Sequence, residues 1–192
     1  PMSGPNFSAP EVGALREFML RGGFVLVDDF WGQPHLDDMF VEIRKIFPER
    51  EITRLESDHE VFHIFFDIDE VAQVPGRMVT WDYGGFLNKD DPQYPPAVYA
   101  VLDDDGRVML AANYNTDLGD GWEHTFYAGY PTQSTNDAYK IGINYLKASE
   151  LTRWTLMKTG ATPKLSIQQL SRIIRMDLLF PSTNCSPIGQ KL

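Results

Sequence analysis

The sequence predicts an α/β domain: a sheet with parallel strands, covered by helices on both faces. Three observations carry this. The run Phe24-Val25-Leu26-Val27 is apolar without interruption and leads into Asp28-Asp29 and then Gly32. A half-exposed strand would alternate apolar and polar residues, so an unbroken run means a strand buried on both faces, as in parallel sheets flanked by helices. The segments before and after this run carry apolar residues at helical spacing, giving the helix–Gly–strand–helix order of a doubly wound unit. Finally, 192 residues with 43% hydrophobic and 12% aromatic content suffice for one sizeable core.

The elements follow in chain order. Ser8-Ala9-Pro10-Glu11 reads as a capping box with Pro in the first helical turn, and Val12, Leu15, Phe18 and Met19 recur at helical spacing behind it. Gly22-Gly23 ends this helix, and the buried strand occupies 23–28. Pro34 opens a second helix with Leu36, Met39, Phe40, Ile43 and Phe47 as its stripe, and Pro48 stops it. Residues 51–55 read as a short strand, completing a β-α-β order expected to be right-handed. His59 to Asp67 is dense in β-branched and aromatic residues and also reads as a strand. Residues 75–96, rich in Pro, Gly, Asp and Tyr, read as a long loop in which Trp81 and Tyr83 are packing residues, with Trp81 also suited to line a flat ligand. Val98–Leu102 and Val108–Ala112 flank Asp103-Asp104-Asp105-Gly106, a hairpin with a positive-φ turn. Asn113–Trp122 is a polar, Gly-rich loop. A helix starts near Ser134 or Thr135 with Ala138, Ile141, Tyr145 and Ala148 on its face, and Ser166 caps a last helix carrying Ile167, Leu170 and Ile174.

Charge excludes one class of partner. The net charge is −10, yet residues 138–192 hold eight Lys/Arg against two Asp/Glu, so the body of the chain is strongly acidic and repels nucleic acid. The basic C-terminal segment offsets the body or meets an acidic surface. No apolar run approaches the ~20 residues of a membrane span. The opening residues PMSGPNFSAP have no signal-peptide character, and because the chain begins with Pro the compartment stays open. The single cysteine, Cys185, rules out a disulfide within the chain and a Cys-rich zinc site.

Two polar clusters follow apolar strands. Asp28 and Asp29 stand at a strand end, where open α/β sheets place their ligands, and carboxylates there bind a cation, act as acid and base, or cap a turn. Neighbours on an extended chain point to opposite sides, so only one of the two is expected to face a given ligand. Asn115, Asp117, Asp120 and Glu123 form the second cluster, either a ligand loop or an Asp/Gly turn anchored by Trp122; Gly119 breaks the calcium-loop spacing. His59-Glu60-Val61-Phe62-His63 matches H-E-x-x-H, but that chemistry needs a helix, and on a strand the two histidines stand ~13 Å apart. The zinc-protease reading is therefore set aside, and His59 is kept at the mouth of the site. The chain has no G-x-S-x-G elbow, no P-loop and no G-x-G-x-x-G.

The blocks ALREFMLRGGFVLVDDFWG (14–32), IRKIFPER (43–50), DHEVFHIFFDI (58–68), DGRVMLAANYNTDLGDGWE (105–123) and AYKIGINY (138–145) together resemble a bacterial family catalogued as domain of unknown function 4159. That family is similar to glutamine amidotransferase class I and trehalose-utilisation (ThuA-like) α/β domains. The resemblance implies a flavodoxin-like three-layer αβα fold with a mostly parallel sheet, plus the β-hairpin and a C-terminal helical extension. It implies a domain over 1–148 whose family carries further sequence before this point, followed by a basic extension over 149–192. This chain departs from the family in having His59-Glu60 where His-Pro is usual, and in continuing for about 45 residues past the Gly-Ile-Asn segment. Amidotransferases use a cysteine nucleophile on a tight elbow, and Cys185 lies outside the resembling blocks, so glutaminase chemistry is not expected.

The expected function is therefore binding of a small polar ligand or a protein partner at the strand ends, without nucleophilic catalysis. Asp28, Asp29, His59, Asn115, Asp117, Asp120 and Glu123 are the expected rim. One alternative is a metal-assisted hydrolase using the Asp and His clusters. Another is a scaffold module, since domains of this kind are associated with cell-envelope assemblies. The sequence names no cofactor.

Overall fold

The computed structural model describes residues 5–76 and 95–158. Along the chain these form α1 (Ala9–Leu20), β1 (Val25–Phe30), α2 (Gly32–Ile46), β2 (Thr53–Arg54), a 3-10 turn (Glu60–Phe62), β3 (Ala97–Leu102), β4 (Val108–Tyr114), α3 (Leu118–Glu123) and α4 (Thr132–Lys158). The strands form one sheet in the order β1-β4-β3-β2.

The capping box forms as read: the Glu11 carboxylate accepts from the Ser8 N–H at 2.8 Å and from its hydroxyl at 2.6 Å. α1 has no basic residue in its last turn. Arg107, from the far side of the sequence, takes that role, donating to the Met19 carbonyl at 2.9 Å and the Gly23 carbonyl at 3.0 Å. Gly23 is required here because the Phe18 ring lies where a Cβ would sit, 2.3 Å from its ideal position. The hairpin also forms as read, with Gly106 at φ +83°. Asp103 is tied into the turn: it accepts from the Asp105 and Arg107 N–H groups and pairs with the Arg107 guanidinium at 2.7 Å.

The mostly parallel sheet is corrected. β1 runs parallel to β4, but β4–β3 and β3–β2 are both antiparallel, so the sheet is mixed with one parallel pair. The hairpin explains the difference, since β4 folds back on β3 and then adds to β1. α2 carries the chain from β1 to β2, which has the same direction but stands at the other edge of the four strands.

Alternate strand residues enter two core clusters, one on each face. Ala97, Val101, Leu110, Ala112 and Tyr114 pack with Met19 of α1 and with Leu36, Met39, Ile43, Ile46 and Phe47 of α2 or its end. Val98, Ala100, Val108 and Ala111 pack with the 3-10 turn through Val61 and Phe62, with Leu118 of α3, and with Ala138, Ile141 and Tyr145 of α4. Helices thus flank the sheet on both sides.

The strand expected over 59–67 is also corrected. His59 caps the 3-10 turn, its Nδ1 accepting from the Val61 N–H at 3.2 Å, and the turn presents Val61 and Phe62 to the core as a plug. Beyond it, the Asn144 side chain of α4 grips both backbone groups of Phe66 at 2.9 Å. Trp81 and Tyr83, the helix expected from Ser166, and Cys185 lie outside the described residues. No described helix is long and apolar enough to cross a membrane.

Candidate functional site

The site is built where the parallel strands β1 and β4 end. Val27 pairs with Ala112 and Phe30 with Tyr114, leaving Asp28 and Asp29 opposite the single residue Asn113. This is a β-bulge, and Asp29 sits in it at φ +58°. Left-handed backbone is uncommon outside glycine, though Asp and Asn tolerate it best. The bulge breaks the strict alternation from which the opposite facing of the two aspartates was expected. Both carboxylates bear on Asp117, as its electrostatics show.

β4 ends in the same way. Asn115 has φ +55° and is fully buried. Its N–H donates to the Phe30 carbonyl, its Oδ1 accepts from the Gly32 N–H at 2.8 Å, and its Nδ2 donates to the Pro95 carbonyl at 3.0 Å. Its own carbonyl accepts from Gln73 at 3.2 Å. Asn115 thus ties the end of β4 to the end of β1 and to the segments at Gln73 and Pro95.

The chain then turns into α3. Asp117 is its N-cap, with Oδ1 accepting from the Asp120 N–H at 2.8 Å. Asp28 reaches the same helix, its Oδ2 accepting from the Gly119 N–H at 2.8 Å. Asp29 accepts from the Trp31 indole at 2.8 Å. The segment leading to Gly76 roofs the cluster: Thr116 Oγ1 accepts from the Val74 N–H, and the Asp117 N–H donates to the Val74 carbonyl. A Cβ on Gly76 would lie 3.1 Å from Asp117 Oδ2 and 3.7 Å from Asp120 Oδ2, so a glycine lets the roof come this close.

Burial is the main reason the Asp117 carboxyl is pushed up to about 9; the charges of Asp29, Asp120 and Asp28 add to it. It therefore carries a proton at neutral pH. Burial also raises the Tyr130 phenol, with Asp117, Asp120 and Asp28 adding to the effect, and its hydroxyl donates to the Pro75 carbonyl at 2.7 Å. Tyr145 is raised by burial and then by Asp28, and it donates to Asn113 at 2.7 Å.

Of the residues singled out in the sequence, Asp28, Asp29, Asp117 and Asp120 share one electrostatic neighbourhood. Glu123 is exposed at the end of α3. His59 is spent on its own turn, and His63 faces Asp67 and the Ser57 carbonyl instead. Sequence reasoning missed His124 and Tyr130. Asp120, Glu123 and His124 stand at positions i, i+3 and i+4 of the α3 turn, and their ligand atoms all lie within 4.8 Å of one another. His124 Nε2 is 3.4 Å from Asp120 Oδ1, and its ring centroid is 5.8 Å from that of Tyr130. The spacing D-x-x-E-H was visible, but reading 113–122 as a loop hid its helical meaning.

No match to the chain is found among characterised proteins. The family model described as domain of unknown function (DUF4159) matches residues 3–147. That span holds both flanking helix pairs' core residues, the whole sheet and every member of the strand-end cluster. The chain therefore belongs to the DUF4159 family.

Proposed function

We propose that the domain binds a small, positively charged polar ligand at the carboxyl ends of β1 and β4, without nucleophilic catalysis. Asp28, Asp29, Asp117 and Asp120 supply the charge, Glu123 the rim, and Asn115 the framework. The observation that carries this reading is the Asp117 carboxyl, raised to about 9 chiefly by its burial and further by the charges of Asp29, Asp120 and Asp28. A cation entering there relieves the repulsion and displaces the proton. The sole cysteine lies beyond the family match, which supports binding rather than acyl transfer.

The test is calorimetric titration at neutral pH with methylammonium, Mg2+, Ca2+ and Mn2+ in buffers of different ionisation enthalpy. Binding of at least one probe with release of about one proton, abolished in Asp117→Asn, is expected. Absence of binding by every probe, or binding with no proton release, overturns the reading.

A second reading is metal-assisted hydrolysis, favoured by the mutual approach of Asp120, Glu123 and His124. It requires near-stoichiometric transition metal in protein purified without chelator, lost in His124→Ala. Within the same framework, the helix-flanked sheet stands as a variant of the flavodoxin-like layered fold of glutamine amidotransferase and ThuA-like domains. Residues 149–192 stand as a basic appendage to a domain over 1–148.

A further inference from the structure

A cavity of about 260 Å³ opens between the segment 67–74 and α4. The backbone at Val74, bonded to Thr116 and Asp117, lies between it and the strand-end carboxylates, so the cavity stands as a separate site. Its interior is apolar: Val74, Leu118 and Ile141 are buried, and Ile68 and Val71 are half-buried. The two polar residues that reach the interior already have partners. Asn113 accepts from the Tyr145 hydroxyl at 2.7 Å, and Thr116 accepts from the Val74 N–H at 2.9 Å. The mouth is acidic. Asp69 and Glu70 are exposed there and Asp137 is half-buried. Against them stands one ammonium among the described wall residues, that of Lys140, 4.0 Å from Asp137. A fitting occupant therefore has an aliphatic centre, cationic flanks and no polar group left to bury.

The sequence carries such a segment. Residues 151–176 contain no Asp or Glu, and within them Ile173-Ile174 is flanked by Arg172 and Arg175. We propose that this cavity docks residues 172–175 of the same chain, which lie outside the described residues, with the isoleucine pair entering it and the two guanidinium groups meeting the carboxylates at its mouth. The chain is long enough to return. α4 lines the cavity at Ile141 and ends at Lys158, about 26 Å further on at the helical rise. The connector 159–171 reaches up to about 43 Å when extended. The tether holds the segment near the cavity at an effective concentration on the order of millimolar, so a weak contact suffices and the segment of a second copy is outcompeted. The docking brings the basic C-terminal region onto the acidic body, and it does not depend on the cation reading, whose carboxylates do not line this cavity.

The experiment places a nitroxide at Met176→Cys in the full chain carrying Cys185→Ser and records methyl NMR spectra. The signals of Ile68, Val71 and Ile141 should lose intensity severalfold, while Leu36 and Ile43, on the opposite face of the sheet, keep theirs. Arg172→Glu with Arg175→Glu should restore the lost signals, and adding Asp69→Lys with Glu70→Lys should remove them again. All three cavity methyls at full intensity overturn the inference, as does a loss that survives both arginine replacements. Mixing nitroxide-bearing chains with isotope-labelled chains that lack the nitroxide separates the sources. Broadening in the mixture assigns the contact to a second copy and also overturns the inference. Unchanged Leu36 and Ile43 signals in every variant show that the domain remains folded.

Discussion

Replacing Asp117 with Asn tests the electrostatic core of the site through stability alone. The free carboxyl has a value near 3.8 and the folded one about 9, so between these limits the folded chain holds a proton that the unfolded chain has lost. Stability must then fall as pH rises, by at most about 1.4 kcal/mol per pH unit for one proton. From pH 5 to pH 8, wholly inside that window, the loss reaches at most about 4 kcal/mol. At about 2–4 °C per kcal/mol for a chain of this size, that is a drop in Tm of roughly 8–16 °C. Asn keeps the side-chain oxygen that caps α3 at the Asp120 N–H and cannot titrate. Thermal unfolding of parent and variant at pH 5, 6, 7 and 8 should give a flatter curve for the variant, with the variant the more stable at pH 8. His63 titrates in both proteins and cancels in the comparison. Parallel curves would refute a protonated Asp117.

Three further outcomes follow from particular contacts. Asn115→Ala removes two side-chain hydrogen bonds of a buried residue and places alanine at φ +55°, so urea unfolding should show a loss of about 2–4 kcal/mol. Gly121→Ala sets a methyl group 2.6 Å from the Ala138 Cβ, forcing α3 away from α4 at a cost of about 1–3 kcal/mol by the same assay. His63 is raised above its ordinary value by its hydrogen bond to the Ser57 carbonyl and then by Asp67. The stabilisation this gives is complete below the ordinary histidine range and disappears as pH climbs past the raised value. An NMR titration of its ring protons should therefore show a high midpoint that Asp67→Asn lowers.

Local features of the fold were legible where short-range chemistry decides them. Ser8 and Glu11, three residues apart, define the first helix start, and Asp105-Gly106 defines the hairpin. Ala138, Ile141, Tyr145 and Ala148 gave the face of α4, all four lying in or against one core cluster. What escaped was set by partners distant in sequence. The apolar run at Val25 announced a parallel partner and found one in β4, but nothing near it could say that β3 would come next and run the other way. Val61 and Phe62 suited a strand by propensity, and burial as a plug beneath α4 overrode that preference.

The candidate site followed the same division. Its carboxylates were legible because they cluster after apolar runs. Their joint action was not, because it depends on the bulge at Asp28-Asp29, a register slip fixed only when β1 meets β4. His124 and Tyr130 join the cluster through α3 and the turn that follows it.

The reach of Arg107 has a consequence for how this chain is made. The Met19 carbonyl in the last turn of α1 and the Gly23 carbonyl just past it are met by a side chain 88 and 84 residues further on. During synthesis the first helix closes its C-terminal end locally, with the Gly22 and Gly23 N–H groups donating to the Met19 and Phe18 carbonyls, but it lacks the guanidinium contact until the hairpin turn has left the ribosome. The beginning of the chain waits on residues past its midpoint, so shortened chains that stop before Arg107 should expose α1 to proteases that the longer chain resists.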